Sequence, residues 1–249
     1  SQKNQLKSLF KPPKTKLSEG TVKKLLRRAK TLFKYANDLG VIPIDPTKTI
    51  KVKQTTRPDE EREIFTTEEL ETIFRSELFQ KDKFRKTYQL WLPLLLLYTG
   101  ARREEICTLL LSDFEQHDGV WCIHVNEVEE GKSIKTASSK RIIPLHPFLT
   151  EDMQIIKKVE QLMRLKKKRF FPDLEPYKGK YGFHPGRWFR RFKETLGFPV
   201  GQGKDLYSFR HTFTDNLKQN MVNPAVVEEI TGHALKGEGM GRYGKRFRP

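Results

Sequence analysis

The stretch that decides the fold runs from residue 206 to residue 245 and reads LYSFRHTFTDNLKQNMVNPAVVEEITGHALKGEGMGRYGK. Its first part predicts a helix, because apolar residues recur at helical spacing; they are Leu206, Phe209, Phe213 and Leu217. Asn223 and Pro224 predict the N-cap and first turn of a second helix. Gly232 is placed to end that helix, which leaves His233 at its exit.

Four polar side chains in this stretch suggest chemistry. Tyr207 and Arg210 share a stripe beside the apolar face of the first helix. His233 leaves the second helix, and Tyr243 follows a glycine-rich turn. Taken singly, each has an ordinary explanation as a salt bridge, a cap or a packing residue. Their joint occurrence instead predicts a site, with Tyr243 as the residue free to attack.

The charge of the chain points to a polyanionic partner. The 249 residues carry 48 Lys and Arg against 31 Asp and Glu, a formal net charge of +17. The charge is uneven, because residues 1–57 hold 15 Lys and Arg and only three acidic residues. Such a surface suits phosphate contacts and favours nucleic-acid binding over the alternative of a basic protein with no polyanionic partner.

Other sequence features restrict the class of protein. Cys107 and Cys122 have neither disulfide-framework nor metal-ligand spacing, so a reducing compartment is expected. The longest apolar run, residues 90–98, is too short to span a bilayer, and we expect no membrane partner. Because the chain begins at Ser1 without a Met, we expect it to be a piece of a longer protein.

The first basic segment predicts a DNA-contacting helix. Residues 21–39 have apolar residues at helical spacing, and their other faces carry six positive charges with no acidic residue between Thr21 and Lys34. A solvated face is the usual explanation of such charges, but nothing in that range offsets their mutual repulsion. We therefore predict phosphate contacts, with the candidates on this helix being Lys23, Lys24, Arg27 and Arg28.

The sequence predicts two domains and a mainly helical fold with a small antiparallel sheet. A Pro-containing acidic segment at residues 53–63 is the predicted linker between residues 1–52 and residues 64–249. Helices are expected at residues 88–99, bent or begun near Pro93, and at residues 147–165. Period-two alternation predicts a strand around residues 121–125, with two more at 133–136 and 141–145 and Lys135 near a hairpin tip.

A further helix at residues 184–196 mixes basic and aromatic residues. Arg187 and Arg190 are candidate phosphate contacts, whereas the aromatic residues Trp188, Phe189 and Phe192 are expected in the core.

The candidate residues fit attack on a phosphodiester without a metal. No pair of carboxylates, no His/Cys/Asp cluster with ligand spacing and no P-loop occurs, so neither a metal nor another cofactor is expected. Two arginines, Arg102 and Arg210, could clamp the non-bridging oxygens of a phosphate. A tyrosine hydroxyl can act as a covalent nucleophile, and a lysine can protonate the departing sugar oxygen.

Four motifs, in order, resemble those of the tyrosine recombinases, the phage integrase family. They are Thr99-Gly100-Ala101-Arg102-Arg103-Glu104-Glu105, then Lys135-Thr136 followed by Ser139, Arg141, Ile143 and Pro144-Leu145, then Tyr207-Ser208-Phe209-Arg210-His211-Thr212-Phe213, and finally Gly232-His233 with Tyr243. Residues 21–46 resemble the end of the family's helical core-binding domain. The resemblance implies that residues 1–52 are the C-terminal part of a DNA-binding domain and residues 64–249 the catalytic domain.

The resemblance also implies roles for individual residues. Arg102 and Arg210 would bind the scissile phosphate, and Lys135 would be the general acid toward the 5′ oxygen. His233 would hydrogen-bond the phosphate and assist proton transfer, Glu105 would support the site, and Tyr243 would form a 3′-phosphotyrosyl link. Tyr207 departs from the family's usual His; a phenol is a poor base near neutral pH, so we expect it to bind phosphate.

The function implied by the resemblance is site-specific DNA recombination by an integrase of a mobile element. The expected partners are double-stranded DNA at a core recombination site and three further copies of the chain in a synaptic tetramer, with accessory DNA-bending or directionality factors left open. A cytoplasmic, nucleoid-associated setting in a bacterium or phage is expected. The alternatives are strand relaxation like that of a topoisomerase IB and a non-catalytic DNA-binding protein of the same fold.

Overall fold

The structure is a computed structural model that describes residues 17–51, 63–126, 140–200 and 203–233. The chain divides into two compact units, Ser1–Glu61 and Arg62–Pro249. Two candidate site residues, Lys135 and Tyr243, lie outside the described residues. So do the strand expected at residues 133–136 and nearly all of the expected linker.

The first unit contains helix α1, Glu19–Asp38. The helix begins at Ser18, whose hydroxyl accepts a hydrogen bond from the backbone N–H of Thr21 at 3.3 Å. The expectation that nothing offsets its positive charges is wrong at two positions. Lys23 pairs with Glu19 at 2.7 Å, and Lys34 pairs with Asp38 at 2.6 Å. Both acidic residues lie just outside residues 21–34, one helical turn from the lysine that each contacts.

The second unit is mainly helical, as predicted. Its helices are α2 Thr67–Phe74, α3 Glu77–Gln80, α4 Thr87–Thr99, α5 Arg103–Cys107, α6 Ile155–Arg164, α7 Phe183–Thr195, α8 Leu206–Gln219 and α9 Pro224–Thr231. Helix α4 is nearly all apolar and packs against α8. Three buried phenylalanines lie in one core: Phe65 from the segment before α2, Phe189 from α7 and Phe209 from α8.

The small sheet is antiparallel with strand order β1-β2-β3. The strands are β1 Phe114–His117, β2 Val120–Val125 and β3 Arg141–Pro144. In β3, Arg141 and Ile143 are buried and alternate with half-buried neighbours. The sheet therefore directs the side chain of Arg141 into the protein rather than into solvent.

The helix predicted at residues 88–99 is confirmed as α4, which begins at Thr87 and contains Pro93, so only the alternative that the proline begins it is wrong. The helix predicted at residues 147–165 is wrong in one respect. Residues 147–165 are not one helix, because a π-helical turn, Phe148–Asp152, is separated from α6 by Gln154 at φ 52°. None of the helices in the described ranges is long and apolar enough to cross a membrane.

Candidate active site

The candidate site is built around the C-terminal end of α9. The last carbonyl groups of a helix have no partner within the helix. Here three successive ones each accept a hydrogen bond from a different arginine: Ile230 O from Arg141 Nε at 2.6 Å, Thr231 O from Arg210 Nη2 at 2.7 Å, and Gly232 O from Arg102 Nη2 at 2.9 Å. Positive charge is favourable at this end of the helix dipole.

The three arginines reach this point from three separate elements. Arg102 is the N-cap residue of α5 and follows the left-handed Gly100 that ends α4. Arg210 lies in the second turn of α8, and its Nη1 also donates to Gly100 O. Arg141 opens β3. The end of α9 is thereby tied to the end of α4, to α8 and to the sheet.

Glu105 binds two of these arginines. Its Oε2 accepts from Arg102 N and from Arg141 Nη2, both at 2.8 Å. Its Oε1 accepts from Arg102 Nη1 at 2.7 Å and from Arg141 Nη1 at 3.3 Å. Burial alone would raise the pKa of Glu105, but the hydrogen bonds and charge of Arg141, with those of Arg102, hold that pKa below its usual value.

Gly232 is required at the turn that follows α9. Its φ is +71°, and a Cβ there would lie 2.7 Å from Arg141 Nη1 and 3.2 Å from Arg102 Nη1. The glycine was expected as a helix end, and the structure confirms that position with a left-handed C-cap. The missing side chain also lets the two guanidinium groups approach the backbone closely.

His233 lies directly after this turn and is exposed. Its Nε2 is 3.2 Å from Arg210 Nη2, and its Nδ1 is 3.3 Å from Thr231 Oγ1, whose hydroxyl donates to Val227 O at 2.6 Å. Because the arginine can only donate, Nε2 accepts, and Nδ1–H then donates to Thr231. The network assigns a neutral imidazole with its basic nitrogen against Arg210.

Arg210 is the most deeply placed of the predicted phosphate ligands, with only 2% of its surface exposed. Burial lowers the pKa of its guanidinium to about 10, which still leaves it charged at neutral pH. Arg102 is more accessible, with 22% of its side chain exposed. Tyr207 is 39% exposed beside them, its ring edge-on to His211 with centroids 4.7 Å apart.

The predicted site residues thus fall into two groups. The structure brings together Arg102, Glu105, Arg210 and His233. Tyr207 lies at the edge of this group, with its ring centroid 6.0 Å from the guanidinium carbon of Arg210. Lys135 and Tyr243 lie outside the described residues, and their place at the site stays a prediction. Across the described ranges, no group of three or more His, Cys, Asp or Glu side chains could hold a metal ion.

Arg141 belongs to one of the quoted motifs, but the sequence did not predict that it is buried and holds other site residues in place. It is 1% exposed and contacts both Glu105 and α9. The signal was present in the alternation of β3, because an arginine in register with the core residue Ile143 needs a buried acidic partner.

The basic residues predicted to contact DNA lie on two helices. On α1, Lys23 and Arg27 line a cavity of about 580 Å³ together with three more lysines, Lys30, Lys34 and Lys51. Lys24 is exposed, as are Arg28 on α1 and Arg187 and Arg190 on α7. Of the aromatic residues on α7, Phe189 is buried, and Trp188 and Phe192 pack against the core, as expected.

The phage integrase family matches residues 63–244 of the chain. This range covers most of the protein, and the chain belongs to that family. Among its relatives is the tyrosine recombinase XerC of Thermodesulfovibrio yellowstonii, which is 24% identical over 223 residues, 87% of this chain and 68% of the relative.

Solved structures of similar fold support the fold prediction. The integrase of the transposon Tn1549, in complex with circular intermediate DNA, is 19% identical with a TM-score of 0.61 and is matched over 93% of this chain and 76% of its own. A lambda integrase tetramer bound to a Holliday junction is 17% identical with a TM-score of 0.61, over 88% of this chain and 60% of its own. These likenesses confirm the fold, mainly helical with a small antiparallel sheet.

Proposed function

We propose that the protein is a site-specific DNA recombinase, an integrase of a mobile element, that cuts and rejoins DNA through a 3′-phosphotyrosyl intermediate. The observation that carries the proposal is the convergence of Arg102, Arg210 and His233 on one helix end. Two guanidinium groups beside a neutral imidazole form an electrostatic site for a phosphodiester. Family membership and DNA-bound relatives support the same conclusion.

In the proposed cleavage step, the hydroxyl oxygen of Tyr243 attacks the scissile phosphorus. A bond forms between that oxygen and phosphorus, and the bond from phosphorus to the 5′ oxygen breaks. Lys135 gives a proton to the leaving 5′ oxygen, and the phenol proton passes to His233. Arg102 and Arg210 hold the non-bridging oxygens while negative charge grows on them.

Rejoining is the reverse reaction with a different strand. A 5′ hydroxyl attacks the phosphotyrosyl phosphorus and gives its proton to Lys135. The bond from phosphorus to the Tyr243 oxygen breaks, and the tyrosine takes back a proton from His233. One phosphodiester is exchanged for another, so the bond energy is conserved in the covalent intermediate. The cycle as written consumes no nucleotide and uses no metal.

The hydrogen bonds around His233 suit its proposed part. In the structure, its Nε2 occupies one donor of Arg210. A phosphate oxygen that bound the same donor would displace the imidazole and leave Nε2 able to accept a proton. Thr231, which the Nδ1–H contacts, keeps the ring in this tautomer.

The other members have supporting parts. Glu105 and Arg141 fix the direction of Arg102, and Tyr207 donates its hydroxyl hydrogen to a phosphate oxygen. Residues 1–52 are proposed as the end of a DNA-binding domain, residues 53–63 as the linker and residues 64–249 as the catalytic domain. Four copies would act on two DNA sites, as the lambda integrase tetramer on a Holliday junction suggests.

A nicked duplex that traps the covalent intermediate tests the proposal. The wild-type chain should form an adduct with one strand that survives denaturation, and Tyr243→Phe should form none. An adduct with Tyr243→Phe would reject this nucleophile. Failure of the wild-type chain on every duplex tried, with binding retained, would favour a non-catalytic DNA-binding protein. Relaxation of plasmid without recombination would favour topoisomerase-like action.

A further inference from the structure

A second cationic site lies beside the candidate active site. It is a cavity of about 420 Å³ that extends along α7, bounded also by the first residue of α5 and by the segment before α8. The basic residues that line it are Arg103, Arg187, Arg190, Lys193 and Lys204. Only two carboxylate residues, Glu194 and Asp205, are among its lining residues. The balance of charge favours an anionic ligand.

Arg103 is the residue that makes this cavity a candidate binding site. Its Nε is buried and has no hydrogen-bond partner among the residues that the structure describes. A buried donor left without an acceptor is costly, more so when it carries charge. A ligand oxygen that accepted from Arg103 Nε would remove that cost.

Two glycines of the α7 region fit closely around Arg103. A Cβ at Gly182 would lie 2.4 Å from Arg103 Nε, and one at Gly186 would lie 3.0 Å from Nη1. Glu104 fixes the same segment, because its carboxylate accepts from Tyr181 N at 3.0 Å and from Gly182 N at 2.9 Å. The guanidinium is therefore held in place by packing, which lowers the entropy lost when it binds a ligand.

The lining cations divide into occupied and available groups. Lys193 donates to Lys204 O, and Lys204 pairs with both carboxylate oxygens of Glu69 at 2.6 and 2.7 Å. Arg187 and Arg190 are exposed and form no hydrogen bond or ion pair with other described residues. Arg103, Arg187 and Arg190 are therefore the lining residues with donors available to a ligand.

The geometry points to a phosphate pocket in which Arg103, Arg187 and Arg190 bind one backbone phosphate of the DNA, separate from the scissile phosphate. This inference rests on the proposed function, because that function supplies duplex DNA as the ligand. Arg102 and Arg103 are consecutive, so their α-carbons are about 3.8 Å apart. Each strand of a duplex carries one charge per ~3.4 Å of helix axis, so both residues can bind phosphates of one DNA molecule. Arginine suits phosphate through its paired donors.

The salt dependence of binding tests whether the pocket takes a phosphate. Arg103→Gln should reduce the slope of log affinity against log salt by at most about 0.9, the effect of losing one whole phosphate contact in B-DNA. Arg187→Gln and Arg190→Gln, at exposed positions where folding is not at risk, should also reduce it. Arg164→Gln removes the same charge from α6, outside the cavity, and should leave the slope unchanged.

Duplexes with a single uncharged methylphosphonate locate the contact. For the wild-type chain, one backbone position outside the scissile phosphate should weaken binding when it is made uncharged. The three pocket variants should each become less sensitive to that same position. Sensitivity lost at widely separated positions, or unchanged in all three variants, would overturn the single pocket.

Two further outcomes distinguish this inference from the proposed function. If the wild-type chain cleaves nicked duplex while the pocket variants keep the full slope, the pocket is wrong and the recombinase stands. If those variants keep the slope but fail to assemble on DNA, the pocket binds a protein carboxylate instead of DNA. If the wild-type chain binds no duplex, both proposals fail.

Discussion

Glu105 and Arg141 form a bidentate ion pair, Oε2 to Nη2 at 2.8 Å and Oε1 to Nη1 at 3.3 Å, with only 4% and 1% of their side chains exposed. The same arginine reaches Ile230 O, and the same carboxylate holds Arg102. One buried pair therefore connects the turn before α5, the third strand and the end of α9. The position of His233 depends on that connection.

Removal of Arg141 should be strongly destabilising. Arg141→Met leaves Glu105 buried with a single arginine, and loss of one partner of a buried pair costs about 3–5 kcal/mol. Urea unfolding followed by circular dichroism measures this. The exposed pair of Arg164 and Glu160 is the control, and Arg164→Met should cost at most about 1 kcal/mol. Equal costs for the two variants would contradict the importance given to the buried pair.

Glu105 should make stability depend on acid pH. Its pKa is lowered in the folded protein, so its contribution is fully present above the unfolded pKa of about 4.3 and is lost as pH falls through the lower folded value. The free energy of unfolding should therefore exceed that of Glu105→Gln by a constant amount near neutral pH. This difference should shrink below about pH 4. If the difference in free energy of unfolding between the wild-type chain and Glu105→Gln grew on acidification, the lowered pKa of Glu105 would be contradicted.

Gly232→Ala should damage both stability and cleavage. The left-handed backbone alone costs roughly 1–2 kcal/mol with a side chain present. The new Cβ must also displace Arg141 or Arg102, and a shift of about 1 Å in a site can lower a rate by about 10²-fold.

Gly197→Ala is the matched control for Gly232→Ala. Gly197 has a φ of +82° with nothing within 4 Å of a Cβ. This variant should lose only the backbone term in unfolding experiments and should keep its cleavage rate. If Gly197→Ala slowed cleavage as much as Gly232→Ala, the close approach of the arginines would not be the cause.

Arg210→Lys should lower the rate of strand cleavage more than it lowers DNA affinity. Lysine keeps the charge but cannot reach Gly100, Thr231 and a phosphate at once. Loss of one donor to a developing oxyanion lowers kcat by about 10²–10³-fold. Single-turnover cleavage at saturating protein measures the rate, with Arg164→Lys as the control. An unchanged cleavage rate would remove Arg210 from the phosphate clamp.

Much of the fold follows from local patterns in the sequence. The helical spacing of Leu206 and Phe209 places both in the core, and Asn223 caps α9 through its side chain, which accepts from Ala225 N at 2.9 Å. These features depend on neighbours within a few residues. The break at Gln154 was missed because nothing in the apolar periodicity marks a single left-handed residue.

The site was only partly predictable, for a different reason. Motifs identified Arg102, Arg210 and His233 as candidates, but local residue spacing does not predict which side chains distant in the sequence will form pairs. Arg141 meets Glu105 only because folding brings two side chains 36 positions apart in the sequence within hydrogen-bond distance. The unpaired Nε of Arg103 likewise arises from the segment at Gly182, far along the sequence.

Tyr243 is proposed to become joined to the 3′ phosphate of a cut strand, and mass spectrometry of the trapped adduct tests this link most directly. After protease and nuclease digestion, the nucleotide should be found on the peptide that contains Tyr243, and the released strand should carry a free 5′ hydroxyl. A nucleotide attached to Tyr207 or to any other residue, or a 5′-linked adduct, would contradict the account.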